Sequence, residues 1–205
     1  MQGFIININR VKEEDLIVTI VTRNSLDTLY RFYGARHGVI NLGFKIDYEK
    51  ESSAKSTIAR LKDVVHLGTP WLKDRHRLIL WQHYIALFYN HLKEADDIGT
   101  FYFDLLDESA QKWEKQNPKR VAVESYIKLL QHEGRLHTQP YCFLCSQKIT
   151  TSIALIRAYL PTHPHCSRRN GITPSSLNEL YTKNSSLFLT DKEIDMLWDT
   201  LMEGL

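Results

Sequence analysis

The chain has 205 residues, of which 43% are hydrophobic and 24% are charged, and a formal net charge of +2. This composition is ordinary for a globular chain and excludes disorder or a collagen-like repeat as the main state. The uncharged segment of residues 78–92 is too short and too polar to span a bilayer, and no signal-like segment opens the sequence, so we expect a soluble, cytoplasmic protein.

The first 70 residues carry the pattern of short β-strands. Phe4, Ile6 and Ile8 alternate with other residues, which predicts a strand over residues 3–9 with these three side chains on one face. Four further strands are predicted over residues 16–22, 26–33, 39–48 and 58–67. Gly43 lies inside the fourth of the five strands and indicates a bulge or a bend. Five short strands with glycines at the corners predict a small closed barrel.

From about residue 72 the apolar residues recur at helical spacing. Helices are predicted around residues 78–92, 98–106, 123–130, 174–177 and 190–201. Asp96 and Asp97 are placed to cap the second helix, and Gly134 is placed to end the third. Thr190 and Glu193 form a capping-box pattern at the start of the last helix. The chain therefore reads as strands followed by helices.

All three cysteines lie within 25 residues, in the arrangement Cys-x2-Cys-x17-His-x2-Cys. The candidate ligands are Cys142, Cys145, His163 and Cys166. Two residues between ligands let each pair turn toward one ion, and four such ligands complete a closed tetrahedral zinc site. Because no position is left open for water, the predicted Zn²⁺ is structural. His165 is a competing fourth ligand, although the spacing favours His163.

Other interpretations of the cysteines stay open at this point. A disulfide between Cys142 and Cys145 is not expected in a reducing cytosol. A thioredoxin-type redox pair needs a βαβ context, which the sequence lacks. The third alternative is a degenerate site that has lost its fourth ligand, in which the cysteines simply pack.

Charge is segregated along the chain. Residues 1–77 carry a net charge of +4 and residues 140–171 another +4, whereas residues 78–139 carry −2 and residues 172–205 carry −4. Segregated positive charge is typical of proteins that bind an anionic partner, usually nucleic acid. Chance clustering is the alternative.

The sequence shows no catalytic constellation. It has no phosphate-binding glycine loop and no Gly-x-Ser-x-Gly elbow. A metallohydrolase site around His163 and His165 would need nearby carboxylates, yet residues 140–171 contain no Asp or Glu. We therefore expect the protein not to be an enzyme.

Three segments, in this order, resemble the bacterial recombination mediator family RecO. Residues 3–22 read GFIININRVKEEDLIVTIVT and resemble the family's opening: a glycine, a strand, a basic residue, an acidic turn ending in Asp and a strand closing on Thr. Residues 32–44, FYGARHGVINLGF, are similar to the small and basic step before the family's fourth strand. Residues 129–145, LLQHEGRLHTQPYCFLC, are similar to the helix that leads into its cysteine knuckle. The sequence of these segments most resembles RecO sequences of ε-proteobacteria such as Helicobacter and Campylobacter. Many members of the family have a cysteine where this chain has His163.

The resemblance implies an α+β fold in three parts. Residues 1–72 would form a five-stranded OB-fold β-barrel that binds nucleic acid. Residues 73–205 would form an α-helical domain, into which residues 140–171 are inserted as a zinc-finger-like module.

The resemblance also implies a function in DNA repair and homologous recombination. RecO-like proteins bind single- and double-stranded DNA and anneal complementary strands. With the partner RecR they help to load RecA onto DNA covered by single-stranded-DNA-binding protein. A protein of this kind would be associated with the nucleoid and not with a membrane.

An OB-fold binds single strands through a positive groove for phosphates and aromatic faces for bases. The candidate DNA-binding residues are the basic side chains Arg10, Lys12, Arg23, Arg31, Arg36, Lys45, Arg168 and Arg169. Arg31 and Arg36 rank first because they flank an aromatic-rich strand and its turn. The aromatic residues interleaved with the basic ones are Tyr30, Phe32, Tyr33 and Phe44, of which about half are expected in the barrel core. The alternatives are a protein–protein adaptor that does not bind DNA and an RNA-binding OB-fold protein.

Overall fold

A computed structural model describes residues 1–53, 56–95 and 97–205, which fold as two compact units, Met1–Glu114 and Lys115–Leu205. The first unit contains the strands β1 (Gln2–Arg10), β2 (Leu16–Thr22), β3 (Leu26–Arg31), β4 (Lys45–Ser53) and β5 (Ser56–His66). They close into a barrel in the order β1-β2-β3-β5-β4, with β3 and β5 parallel and the other neighbours antiparallel. This confirms the predicted α+β fold with an N-terminal five-stranded barrel. The predicted domain boundary at residue 72 stays a prediction.

The barrel is filled by apolar side chains from all five strands. Its buried core includes Ile5, Leu16, Val18, Ile20, Leu29, Ile46, Tyr48 and Leu61. The hydroxyl of Tyr48 donates to the buried carboxylate of Asp27 at 2.9 Å, and the Lys50 ammonium lies 3.1 Å from the other oxygen. Burial, followed by the neighbouring Asp27 charge, raises the pKa of Tyr48. The buried carboxylate therefore has both a donor and a counter-ion, as buried polar groups require.

The alternation predicted for β1 is wrong because the strand contains a bulge. The register of β1 against β2 shifts between Ile5 and Asn7. Ile5 and Ile8 therefore contribute to the barrel core, whereas Phe4 packs against Trp81 at a ring-centroid distance of 6.0 Å. An inserted residue moves every following side chain to the opposite face, and period-two counting does not detect it.

The fourth strand begins six residues later than residues 39–48 predict. The segment before it turns, since the backbone amide of Phe44 donates to the carbonyl of Asn41 at 3.1 Å. The strand then continues beyond residue 48, where Glu51 lies opposite Arg60 of β5. Opposite charges facing each other across two strands stabilise the pairing, and they replace the apolar residues on which the prediction relied.

Two helices complete the first unit, α1 (Arg75–Leu92) and α2 (Phe101–Lys112). Three buried tryptophans pack together in this unit: Trp81 of α1 contacts Trp71 and Trp113, which lie just outside the two helices. The predicted cap of α2 is wrong at Asp97, which accepts from the amide of Gly99 before the helix, while Thr100 occupies the N-cap position. Asp96 lies outside the described residues.

The second unit is built mainly from helices. Its elements are α3 (Pro118–His132), β6 (Ala154–Ile156), β7 (Leu160–Thr162), α4 (Pro164–Ser167), α5 (Pro174–Lys183) and α6 (Asp191–Leu201). Gly134, with φ of +66°, follows α3 as predicted. Lys119 of α3 bonds Asp195 of α6 at 2.7 Å. Among the described residues, no helix is both long and apolar enough to cross a membrane.

The predicted capping box at α6 is confirmed and supports a stability prediction. The Thr190 hydroxyl accepts from the amide of Glu193 at 3.3 Å, and the Glu193 carboxylate accepts from the amide of Thr190 at 2.7 Å. Thr190→Ala should lower the free energy of unfolding by about 1 kcal/mol, because one amide at the helix start loses its acceptor. Denaturant titration measures the effect. Thr190→Ser, which keeps the hydroxyl, should stay near the parent protein, and equal losses for both variants would contradict the assignment.

Candidate metal centre and nucleic-acid interface

The cysteine module brings its two ligand pairs together through tight backbone turns. After Cys142 the chain reverses, with its carbonyl accepting from the amide of Ser146 at 2.8 Å. His163 sits at the N-cap of α4, and its carbonyl accepts from the amide of Cys166 one turn later at 3.0 Å. Each pair is thus held by its own hydrogen-bonded turn, which is the arrangement that the two-residue spacing predicts.

The four predicted ligands form one cluster. Their donor atoms, in Cys142, Cys145, His163 and Cys166, all lie within 4.8 Å of one another. The Nδ1 atom of His163 is 3.4 Å from the sulfur of Cys145 and 3.8 Å from that of Cys166. A tetrahedral zinc ion, with bonds of about 2.3 Å to sulfur and about 2.0 Å to nitrogen, places its ligand atoms about 3.5–3.8 Å apart. The cluster could therefore hold a metal ion, and its donors suit zinc.

The histidine in this cluster is His163. Its Nε2 atom lies 3.3 Å from the carbonyl oxygen of Lys148. Since a carbonyl only accepts, Nε2 carries the proton and Nδ1 presents a lone pair to the sulfurs, which is the usual support for a metal-binding histidine. The ring of His165 stacks on that of His163 at 4.9 Å, outside the cluster. Of the two histidines considered as the fourth ligand, His163 belongs to the cluster and His165 does not.

The thiol groups differ in proton affinity. Burial acts to raise the pKa of Cys142, but hydrogen bonds from the backbone amides of His163 and Cys145 outweigh it and lower the pKa to about 6. Burial, followed by the neighbouring cysteines, raises the pKa of Cys166 to about 11. The lowered pKa favours the thiolate of Cys142, whereas a metal ion must displace the proton of Cys166, so that binding releases protons.

A second candidate group of side chains lies on the barrel, around the end of β3 and on β5. The rings of Phe32 and Tyr33 are 45% and 59% exposed. The Arg60 guanidinium lies 5.0 Å from the centroid of the Phe32 ring, and that of Arg36 lies 5.5 Å from the Tyr33 ring. We call these four residues the barrel platform. It combines exposed aromatic faces with adjacent cations, as a single-strand-binding surface does.

The carboxylate of Asp15 fixes the backbone of this platform. It accepts from the Tyr30 hydroxyl at 2.6 Å and from the Tyr33 amide at 2.9 Å. These two bonds, the hydroxyl first, hold the pKa of Asp15 below its usual range. They also place Tyr33 in the left-handed region at φ of 52°, which ends β3 two residues before the predicted end. The ring of Tyr33 is directed by this turn and not by strand pairing.

Comparison with known families agrees with this architecture. Residues 1–72 match the family model described as RecO N terminal. The barrel is therefore similar to a RecO N-terminal domain. The match supports a protein of the RecO family and, with it, a general role in DNA repair and recombination. No curated protein sequence matches the chain significantly. The resemblance to ε-proteobacterial members stays a prediction.

Three of the basic residues predicted to bind DNA make internal contacts within the first unit. Arg23 and Lys45 bond Asp104 and Asp107 of α2 at 2.9 and 2.6 Å. Arg31 is half-buried and donates to the carbonyl of Leu61 at 2.9 Å, so it ties β3 to β5. A role of these three side chains in DNA binding stays a prediction.

The other predicted basic residues are more accessible, with one exception. Arg10 and Lys12 are exposed at the end of β1, Arg36 is exposed and lies 2.5 Å from Glu14, and Arg168 is exposed at the end of α4. Arg169 is the exception, since it bonds Glu203 at 2.7 Å and the hydroxyl of Thr200 at 3.2 Å. These placements leave their contribution to DNA binding as a prediction.

Arg60 was missed by sequence reasoning. It lies on β5, where Lys62 follows it on the same face of the strand. Two basic residues at period-two spacing in the predicted strand of residues 58–67 were the available signal. The proximity of Arg60 to Phe32 follows from the parallel pairing of β3 and β5, for which the sequence offered no local sign.

Proposed function

We propose that the protein is a mediator of DNA repair and homologous recombination. In this proposal it binds single- and double-stranded DNA, anneals complementary strands and acts with RecR to load RecA onto DNA covered by single-stranded-DNA-binding protein. The match of residues 1–72 to the RecO N-terminal family carries the proposal. It acts in the cytoplasm, at the nucleoid, and by binding alone, without catalysing a reaction.

The barrel platform supports the DNA-binding part of this proposal. Exposed rings of Phe32 and Tyr33 stack on unpaired bases, while Arg36 and Arg60 neutralise the neighbouring phosphates. The carboxylates near these arginines would compete only weakly with DNA phosphates. Glu14 pairs with a largely exposed Arg36, and Glu51 lies 3.8 Å from Arg60. Exposed ion pairs contribute little, so exchanging a carboxylate for a phosphate costs little.

The cysteine cluster supports a structural zinc ion in this protein. Cys142, Cys145, His163 and Cys166 would hold it, and a bound zinc would cross-link the two turns of the module. With four protein ligands the site keeps no position for a substrate, which agrees with a role in folding.

The barrel platform yields a measurable prediction. Phe32→Ala and Tyr33→Ala should each weaken binding of a fluorescent oligothymidylate by about fivefold or more, because each removes one stacking face. Arg60→Ala should weaken binding and reduce the slope of log K against log salt by about 0.7, the value for one lost phosphate contact on a single strand. Fluorescence anisotropy over a series of salt concentrations measures both quantities.

The matched control is Arg75→Ala, which removes an exposed arginine at the start of α1 that contacts no aromatic ring in the described part of the chain. It should leave the salt slope unchanged. Complementary oligonucleotides should anneal faster with the parent protein than with Phe32→Ala. If the purified protein does not bind DNA, the adaptor hypothesis replaces ours, and a preference for structured RNA over single-stranded DNA would favour the RNA-binding alternative.

A further inference from the structure

The cysteine module exposes apolar side chains that its core does not use. Tyr141, Phe143 and Leu144 are 52%, 61% and 54% exposed, although Cys142 between them is buried. Cys142 belongs to the donor cluster, whereas its exposed neighbours Tyr141 and Phe143 lie outside that cluster. Contiguous exposed apolar groups of this kind mark interaction sites in globular proteins.

A lysine is paired through the backbone with one of these aromatic residues. Tyr141 and Lys148 face each other across an antiparallel bridge, and the amide of Cys142 donates to the carbonyl of Gln147 at 2.9 Å. Residues paired in this way have Cβ atoms about 5 Å apart, which is close enough for the flexible Lys148 side chain to bind a phosphate next to a base on the Tyr141 ring. The Lys148 carbonyl also lies 3.3 Å from the metal-binding histidine, which anchors the pair to the cluster. We call Tyr141, Phe143 and Lys148 the knuckle surface.

The charge around the knuckle surface selects an anionic partner. Residues 140–171 contain four basic and no acidic side chains. A zinc ion with three thiolates would contribute a charge of about −1, so the segment stays positive with the metal bound. In the ranges that the structure describes, no carboxylate contacts Lys148 or Arg168, so both cations face solvent. An exposed Lys–aromatic pair in an acid-free segment offers a phosphate site next to a stacking face.

We infer that the knuckle surface is a second contact for single-stranded DNA. Tyr141 and Phe143 stack on unpaired bases, and Lys148 binds an adjacent phosphate. Stacking tolerates any base, so the contact is independent of sequence. The inference rests on the proposed DNA-binding function, and it assigns part of that function to the cysteine module. An acidic or apolar protein partner is the competing occupant, and the experiment separates the two.

The test uses the full chain with its zinc bound. Tyr141→Ala and Phe143→Ala should each weaken oligothymidylate binding by about fivefold or more, whereas Phe143→Tyr should keep it, because the ring persists. Lys148→Gln should reduce the salt slope by about 0.7. With oligonucleotides that carry 5-iododeoxyuridine, photocrosslinking followed by peptide mass spectrometry should identify Tyr141 or Phe143. Zinc content is measured for each variant, and only variants that retain one zinc ion per chain are compared.

Leu144→Ala is the matched control, since it removes an equally exposed apolar group that has no stacking face. DNA binding should be unchanged in this variant. If Leu144→Ala loses as much binding as Phe143→Ala, or if no variant of the knuckle surface affects binding while Phe32→Ala does, the inference is wrong and the surface serves a protein partner. In that case the proposed function stands. If the parent protein binds no DNA, the proposed function fails as well, so the two failures are distinguishable.

Discussion

Removal of zinc is expected to unfold the cysteine module and to leave the barrel folded. The regular elements of the module are very short, since β6 and β7 have three residues each and α4 has four. Isolated elements of this length are not stable in water. Structural zinc binds zinc-finger peptides with about 10–16 kcal/mol, which is comparable to the whole stability of a domain. After chelation, amide hydrogen exchange should become fast across residues 140–171 and stay slow in β1 to β5.

Two histidine variants give this prediction a matched control. His163→Ala removes the only nitrogen donor of the described cluster and should abolish stoichiometric zinc, with the same loss of amide protection. His165→Ala removes the neighbouring exposed ring and should keep one zinc ion per chain. Elemental analysis of the purified variants measures zinc. A parent protein that is purified without metal, and whose melting does not change with chelator, would instead support the degenerate site.

Features that depend on local sequence were predictable. The helix around residues 190–201 follows from its spacing and its capping box, which are both contained in a dozen residues. The metal cluster could be predicted equally well, because the two residues of each ligand pair are close in sequence. Only the approach of one pair to the other had to be assumed. The spacing also favoured His163 over His165, and the cluster contains His163; the hydrogen bond to Lys148, fifteen residues away, could not be predicted.

Features that depend on distant partners were not predictable. Arg23 and Lys45 are basic residues in a basic segment, yet their carboxylate partners lie 81 and 62 residues further along the chain. The residue type determines the sign of a charge, but it does not determine which side chain pairs with that charge. Conversely, Arg60 reaches Phe32 only because β3 and β5 run in parallel at the closure of the barrel. Strand order therefore decides which cations belong to the barrel platform.

Gly43→Ala is expected to destabilise the first unit strongly. Gly43 has a φ of +84°, and a Cβ atom at this position would lie 2.6 Å from the Cδ1 atom of Trp81. Trp81 has no room to yield, because it is fully buried against Trp71 and Trp113. Its indole nitrogen also donates to the Gly43 carbonyl at 2.8 Å, a bond that any retreat of the loop would break. The sequence indicated a bend at this glycine, but not the tryptophan that makes it necessary.

The expected loss combines two costs of the new methyl group. Overpacking a filled core costs about 1–3 kcal/mol, and a left-handed backbone costs a non-glycine residue about 1–2 kcal/mol more. The free energy of unfolding should therefore fall by about 2–5 kcal/mol in a denaturant titration. Gly38→Ala is the control from the same connection between β3 and β4, since its Cβ would meet no atom within 4 Å, and it should change stability by less than about 0.5 kcal/mol. Similar stabilities for the two variants would show that the loop around Gly43 can move away from Trp81 without lowering the free energy of unfolding. The contact between β1, Gly43 and α1 would then not be what holds the helix against the barrel.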